Sequence, residues 1–181
     1  MRMFYVITKL IVFPGAYIRG FWEQLTCRIL KLMVEPGGYI RLDEACGHVE
    51  HSLAKKQFAA YLIATGPGFM NFNIGFFLFM WGFMNLRFMG ITVYDSIPLF
   101  IIYVISMYLG VSFLCCLFPL TEDVLNYWSI AYTKNENRRI LGSIFGFLPM
   151  AVTRLGAFLE KNGIIFILWV AFLIWQLGFK L

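Results

Sequence analysis

The run from Pro98 to Leu120 contains no Asp, Glu, Lys, Arg or His. As a helix rising about 1.5 Å per residue, it is long enough to cross the hydrocarbon core of a bilayer. A segment of this kind has to be covered by lipid or by protein. The rest of the chain offers little polar surface to do otherwise, since 60% of its 181 residues are hydrophobic and only 14% are charged. Soluble domains average about 25% charged residues. The sequence therefore predicts an all-α integral membrane bundle of four or five transmembrane helices, built as one membrane domain over residues 1–181 with a small polar segment.

The formal net charge is +5. The cations lie mostly between the apolar runs and form no basic stripe on a soluble fold, which argues against nucleic acid as a partner. They fit a positive-inside bias instead. The cysteines are Cys27, Cys46, Cys115 and Cys116, with the last two adjacent in an apolar run and no C-x-x-C pair. Buried free thiols are the expectation. The apolar N-terminal run lacks a small-x-small cleavage site followed by a polar segment, so it reads as a retained membrane segment.

Taken in order, residues 3–18 are apolar apart from Thr8 and Lys9, with Pro14-Gly15 marking a kink or break near the end. Residues 19–56 form the main polar segment, carrying Arg19, Arg28, Lys31, Arg41, Lys55 and Lys56. Its polar subregion spans about 28–56, and Tyr39 to Asp43 alternates as a short strand would. Residues 58–84 form a second span, interrupted by Gly66-Pro67-Gly68, Asn71 and Asn73. Buried asparagines need partners, so this helix is expected to turn them into the bundle. A second polar loop, 121–139, precedes a tilted or interfacial helix at 140–159 and an apolar helix at 163–179. Placing the cation-rich loops 19–56 and 121–139 in the cytoplasm satisfies the charge rule, with the N-terminus outside if the first helix crosses.

The stretch from Val12 to Cys27 spaces Arg19, Glu23 and Cys27 four residues apart, on one helical face. Its Phe13-Pro14-Gly15, three intervening residues and Cys27 resemble a pattern of small membrane proteins related to the site-2-protease zinc metalloproteases. In that family His-Glu-x-x-His follows the Phe-Pro-Gly. Gly47-His48-Val49-Glu50-His51-Ser52, with the later Gly66-Pro67-Gly68, is similar to a second family block. Tyr108 to Ser112 and Phe118-Pro119 up to Asp123 resemble a third, in which an aspartate supplies the distant zinc ligand. The three blocks stand in family order over most of residues 12–123.

The resemblance implies that a catalytic site has been lost. Arg19 and Glu23 stand at the histidine positions, Gly20 at the general base, and Leu120 at a serine, while Asp123 keeps the carboxylate position. Such chemistry needs two His nitrogens one turn apart, a carboxylate and a base beside the bound water. Arg19 cannot ligate a dication. The implied reading is a catalytically inactive protein without a cofactor. It serves as a binding or scaffold subunit for a membrane-protein partner or client in the bilayer, with Arg19, Glu23 and Asp123 converging as an ion-pair cluster.

Each signal has a plainer reading. Arg19 and Glu23 at a water interface would be solvated charges. Cys46, His48 and His51, which include the only two histidines, match no common structural zinc spacing and fit a hydrogen-bonded loop. With Glu23 and Asp123 they would instead form the rearranged site of a zinc metalloenzyme. Asn71 and Asn73 would line the path of a small transporter or channel subunit, or simply accompany close packing at Gly66, Gly68 and Gly75.

Overall fold

The computed structural model describes the backbone of residues 2–35, 37–40, 46–132 and 140–178, and their side chains except at 2, 131–132, 140–149 and 177–178. Within these residues the regular structure is entirely helical. The helices are α1 (Arg2–Ile11), α2 (Phe13–Ile29), α3 (Gln57–Arg87), α4 (Ile97–Leu114), α5 (Thr121–Tyr132), α6 (Ile140–Lys161) and α7 (Ile164–Gly178).

By length and composition, α3 and α4 can each cross a membrane. Two bent pairs pass the same test together: Met3–Ile11 with Phe13–Ile29, bent by 94°, and Met150–Lys161 with Ile164–Gln176, bent by 77°. This gives two candidate spans, or up to four if each pair is one broken crossing. α5 has 12 residues, short of the roughly 20 that a crossing requires. Large apolar side chains on α3 and α4, among them Phe72, Phe77, Ile101 and Ile105, point outward as a bilayer-facing surface would.

The polar region is more helical than its composition suggests. α2 carries the chain from Arg19 to Ile29, so the irregular segment begins at Leu30, and α5 occupies the first part of the stretch 121–139. The first break falls at Val12, just before Pro14-Gly15. Pro14 lies in the first turn of α2, where its missing N–H costs no helical hydrogen bond. Backbone groups around the break take partners from other helices, in addition to the bonds that Gly15 N and Ala16 N make to Val12 O at 3.1 and 3.2 Å. Tyr108 Oη donates to Ile11 O at 2.7 Å, Ser112 Oγ donates to Val12 O at 2.8 Å and accepts from Gly15 N at 2.8 Å, and Asn71 Nδ2 donates to Gly15 O at 3.1 Å. In an apolar setting each unpaired group would cost several kcal/mol, so a sharp break survives only where neighbours supply partners. Position 15 must be glycine because any Cβ there would strike the Ser112 backbone.

α3 and α4 pack as an antiparallel pair, with Gly75 admitting the Phe113 and Gly110 region at close range. One apolar core lies where Val12 and Ala16 meet Phe79, Val111 and Leu114, and α7 closes it with Trp169 and Phe172. A second core joins Cys27 of α2, Ile63 of α3, Tyr127 and Ile130 of α5, and Met150 of α6. All four cysteines are buried and free.

The segment between α2 and α3 folds back over α2. Val34 and His51 form an isolated antiparallel bridge, flanked by Glu35 N to Glu50 O at 3.0 Å and Ser52 N to Met33 O at 2.9 Å. The short pairing thus lies at 33–35 and 50–52. Of the expected strand Tyr39–Asp43, residues 41–43 lie outside the described residues, and Tyr39 and Ile40 are not in a strand. Gly47 has φ of 82° and lies against Ala16, a left-handed turn in a space where a side chain would collide. That turn sets His48 and His51 beside α2.

Candidate functional site

α2 is amphipathic in an inverted sense, because its buried face carries the charges. Arg19 is wholly buried, Glu23 is 1% exposed, and Gly15, Ala16, Gly20 and Cys27 complete the same face. Gly20 packs under the Tyr39 ring, which leaves no room for a carboxylate there without moving that ring. The arrangement follows from the helical repeat, which stacks residues 19, 23 and 27.

Five parts of the chain contribute to the cluster: α2, the α2–α3 segment, α3, the α4–α5 connection and α5. The Glu23 carboxylate faces His48 Nδ1 at 3.0 Å, accepts from Val49 N at 3.0 Å, and lies 3.8 Å from Arg19 Nη2. The last distance is a charge contact and too long for a hydrogen bond. Asp123, at the first turn of α5 and 7% exposed, lies 3.4 Å from His51 Nε2. Arg19 Nη1 reaches Cys116 O at 3.5 Å, and Asn71 Nδ2 donates to the same carbonyl at 2.9 Å. Arg19 Nε, Arg19 Nη2 and Asn71 Oδ1 have no hydrogen-bond partner among the described residues.

The electrostatics outside the candidate spans follow from burial. Burial, followed by the nearby Glu23 charge, pushes the Asp123 carboxyl up to about 7, against the opposing pull of His51 and Arg19. Burial holds the His48 imidazole below its usual range, helped by the Arg19 cation and opposed by Glu23. Its Nδ1–H then donates to the carboxylate.

The sequence-predicted residues separate into two sets. Arg19, Glu23 and Asp123 come together with both histidines, and Gly20 lies on the same buried face. Cys46 does not join them: it is buried, and its carbonyl accepts a hydrogen bond from Tyr5 Oη at 3.1 Å. Among the described residues, Glu23, His51 and Asp123 form a group able to hold a metal, each offering one ligand atom within 4.8 Å of the others. The donor types suit a borderline or hard divalent ion. Both Glu23 oxygens are already engaged, however, and Arg19 sets a fixed positive charge beside them. Asn71 turns inward as expected, but Asn73 is partly exposed and bonds to Phe69 O within its own helix at 2.7 Å.

Sequence reasoning missed a second buried charge pair. Lys9 of α1 is ion-paired with Glu160 of α6, at 2% and 6% exposure. Glu160 also accepts from Phe118 N at 2.8 Å, and Lys9 Nζ lies 3.5 Å from Cys116 Sγ. The available signal was Lys9 itself, the only charge between Met3 and Ile18. Intramembrane charges are normally paired or functional. Both charge clusters meet at Cys116, one at its thiol and the other at its carbonyl. Comparison with protein-family models, curated proteins and solved structures returned no match.

Proposed function

We propose that this chain is a non-hydrolytic relative of the site-2-protease-like zinc metalloproteases, acting as a binding or scaffold subunit for a membrane-protein partner. The observation that carries the reading is the buried Arg19 guanidinium beside Glu23. It stands at the position of the first ligand in the resembling pattern, with Gly20 where a base would be needed. A fixed cation there raises the free energy of a dication, and with glycine at position 20 the place of the general base in the resembling pattern holds no carboxylate. The protein is multi-pass, with the two bent pairs each forming one broken crossing and the cation-rich polar regions on the cytoplasmic side. Gentle extraction from its native membrane tests the proposal. A stoichiometric protein partner is expected, with no peptide-bond hydrolysis of that partner; isolation as a lone chain that cleaves membrane clients would refute it.

A second reading is favoured by the convergence of Glu23, His51 and Asp123. In that reading the three hold a divalent metal, and the chain is a metalloenzyme with a rearranged site. Stoichiometric metal in the purified protein, lost in His51→Ala, would favour it.

A further inference from the structure

The second buried charge pair holds a thiol within reach. Lys9 of α1, Glu160 of α6 and Cys116 of the α4–α5 connection meet inside the protein, at 2%, 6% and 0% exposure. Lys9 Nζ is ion-paired with Glu160 Oε1 and lies 3.5 Å from Cys116 Sγ, although 151 and 107 positions separate it from those residues. Cys116 is held through its backbone, with its N–H on Phe113 O at 3.1 Å and its carbonyl accepting the Asn71 amide at 2.9 Å. The ammonium also lies over the Tyr5 ring, 5.6 Å from its centroid. We propose that Lys9 and Cys116 form a covalent modification site, where dioxygen joins them through one oxygen atom. The resulting N–O–S bridge ties α1 to the α4–α5 connection.

The contact assembles a nitrogen nucleophile, an oxidisable sulfur and a proton acceptor, the groups that such a step consumes. Glu160 takes one proton from the Lys9 ammonium and leaves the free amine. The Cys116 sulfur adds dioxygen, forming an S–O bond while the thiol proton passes to the outer oxygen. The amine lone pair attacks the sulfur-bound oxygen, so the N–O bond forms and the O–O bond breaks. Hydroxide leaves with one amine proton as water. Dioxygen gains four electrons in all, two from sulfur and two from nitrogen. The buried ion pair ends as a neutral bridge and a neutral Glu160 acid, which removes two charges from a low-dielectric setting. A direct S–N bond, the product of a sulfenic acid condensing with nitrogen, needs a far closer approach than a bridge with oxygen between the two atoms. Buried thiols are ordinarily inert. Dioxygen is apolar and dissolves in hydrocarbon, however, and a void of about 10 Å³ beside Lys9, Glu160 and Cys115 has the scale of one small molecule. Cys115 does not compete for Cys116, because adjacent residues place their Cα atoms about 3.8 Å apart, below the range usual for disulfides.

The test uses the full chain in phosphatidylcholine nanodiscs, reduced with dithiothreitol, freed of it, and then held under isotopically labelled dioxygen. The protein is denatured, alkylated and digested, and its peptides are read by mass spectrometry. A joined pair containing Lys9 and Cys116 is expected, two hydrogens lighter and one labelled oxygen heavier than the sum of its parts. Dithiothreitol should separate the pair, since four electrons and four protons return the amine, the thiol and water. Lys9→Arg, which keeps a cation opposite Glu160, and Cys116→Ser should each abolish the joined pair, and Cys115→Ala should retain it. Folded wild-type protein that yields no joined pair would overturn the proposal without recourse to any variant. A joined pair lacking the labelled oxygen, its survival in Lys9→Arg, or a Cys115–Cys116 disulfide as the sole oxidation product would overturn it equally.

Discussion

The Arg19 guanidinium lies 3.8 Å from the Glu23 carboxylate, four residues apart on α2, and neither side chain reaches solvent. Glu23 also holds His48 and the Val49 N–H, so removing Arg19 strands a buried carboxylate that other groups only partly satisfy. Arg19→Ala is expected to destabilise the protein by about 3–5 kcal/mol. Arg28→Ala, at an exposed position of the same helix, should change stability by less than about 0.5 kcal/mol. Reversible unfolding in mild detergent compares the two, and equal effects would mean that Arg19 is not part of a buried joint.

Lys9 and Glu160 make the equivalent test for the second cluster. Lys9→Met should cost about 3–5 kcal/mol by leaving Glu160 unpaired in a low dielectric. The double variant Lys9→Met with Glu160→Gln should recover much of that loss, because it removes both charges together. A double-mutant cycle with no coupling between the positions would contradict the pairing.

Ser112 bridges the break at Val12 by accepting from Gly15 N and donating to Val12 O. Ser112→Ala should cost about 1–2 kcal/mol and raise hydrogen exchange at Gly15. It should leave amides in the middle of α3 protected. Exchange measured by mass spectrometry on peptides covering 11–20 checks this, and unchanged protection there would show that the break does not depend on Ser112.

Asp123 supplies a pH dependence with a definite sign. Its carboxyl is raised in the folded state from 3.8 to about 7, so between those values the folded protein holds more protons than the unfolded chain. Its contribution to stability is therefore complete below about 4 and declines as pH rises through about 7. His48, held below 6.5, contributes in the opposite direction, since its share is lost as pH falls below that value. The comparison of wild type with Asp123→Asn in chelator-treated buffer isolates the first effect. Wild type should lose stability relative to the variant between pH 4 and 7, and parallel profiles would contradict the burial of Asp123 beside Glu23.

The long helices were legible because the apolar runs at 58–84 and 98–120 are too long for a strand and leave few alternatives to a helix. The four-residue spacing of Arg19 and Glu23 was legible for the same geometric reason. The proximity of Asp123 followed only from the resemblance, since periodicity says nothing about which loop lies over which helix. The same limit hid the His48–Glu23 contact and the Lys9–Glu160 pair, which is separated by 151 positions. Pro14-Gly15 signalled a break, but the 94° bend depends on Ser112, Tyr108 and Asn71 supplying hydrogen bonds from other helices. Asn73 misled because its amide satisfies itself on Phe69 O of its own turn.

The central claim is that a guanidinium holds the place that the resembling pattern gives to a metal. Zinc titration of the chelator-stripped, lipid-reconstituted protein tests it most directly, read as bound metal per chain after desalting. The account predicts no stoichiometric uptake by wild type at micromolar zinc, with Arg19 remaining the counter-charge to Glu23. One tightly held zinc per chain, abolished by His51→Ala or Asp123→Asn and insensitive to Cys46→Ala, would contradict it.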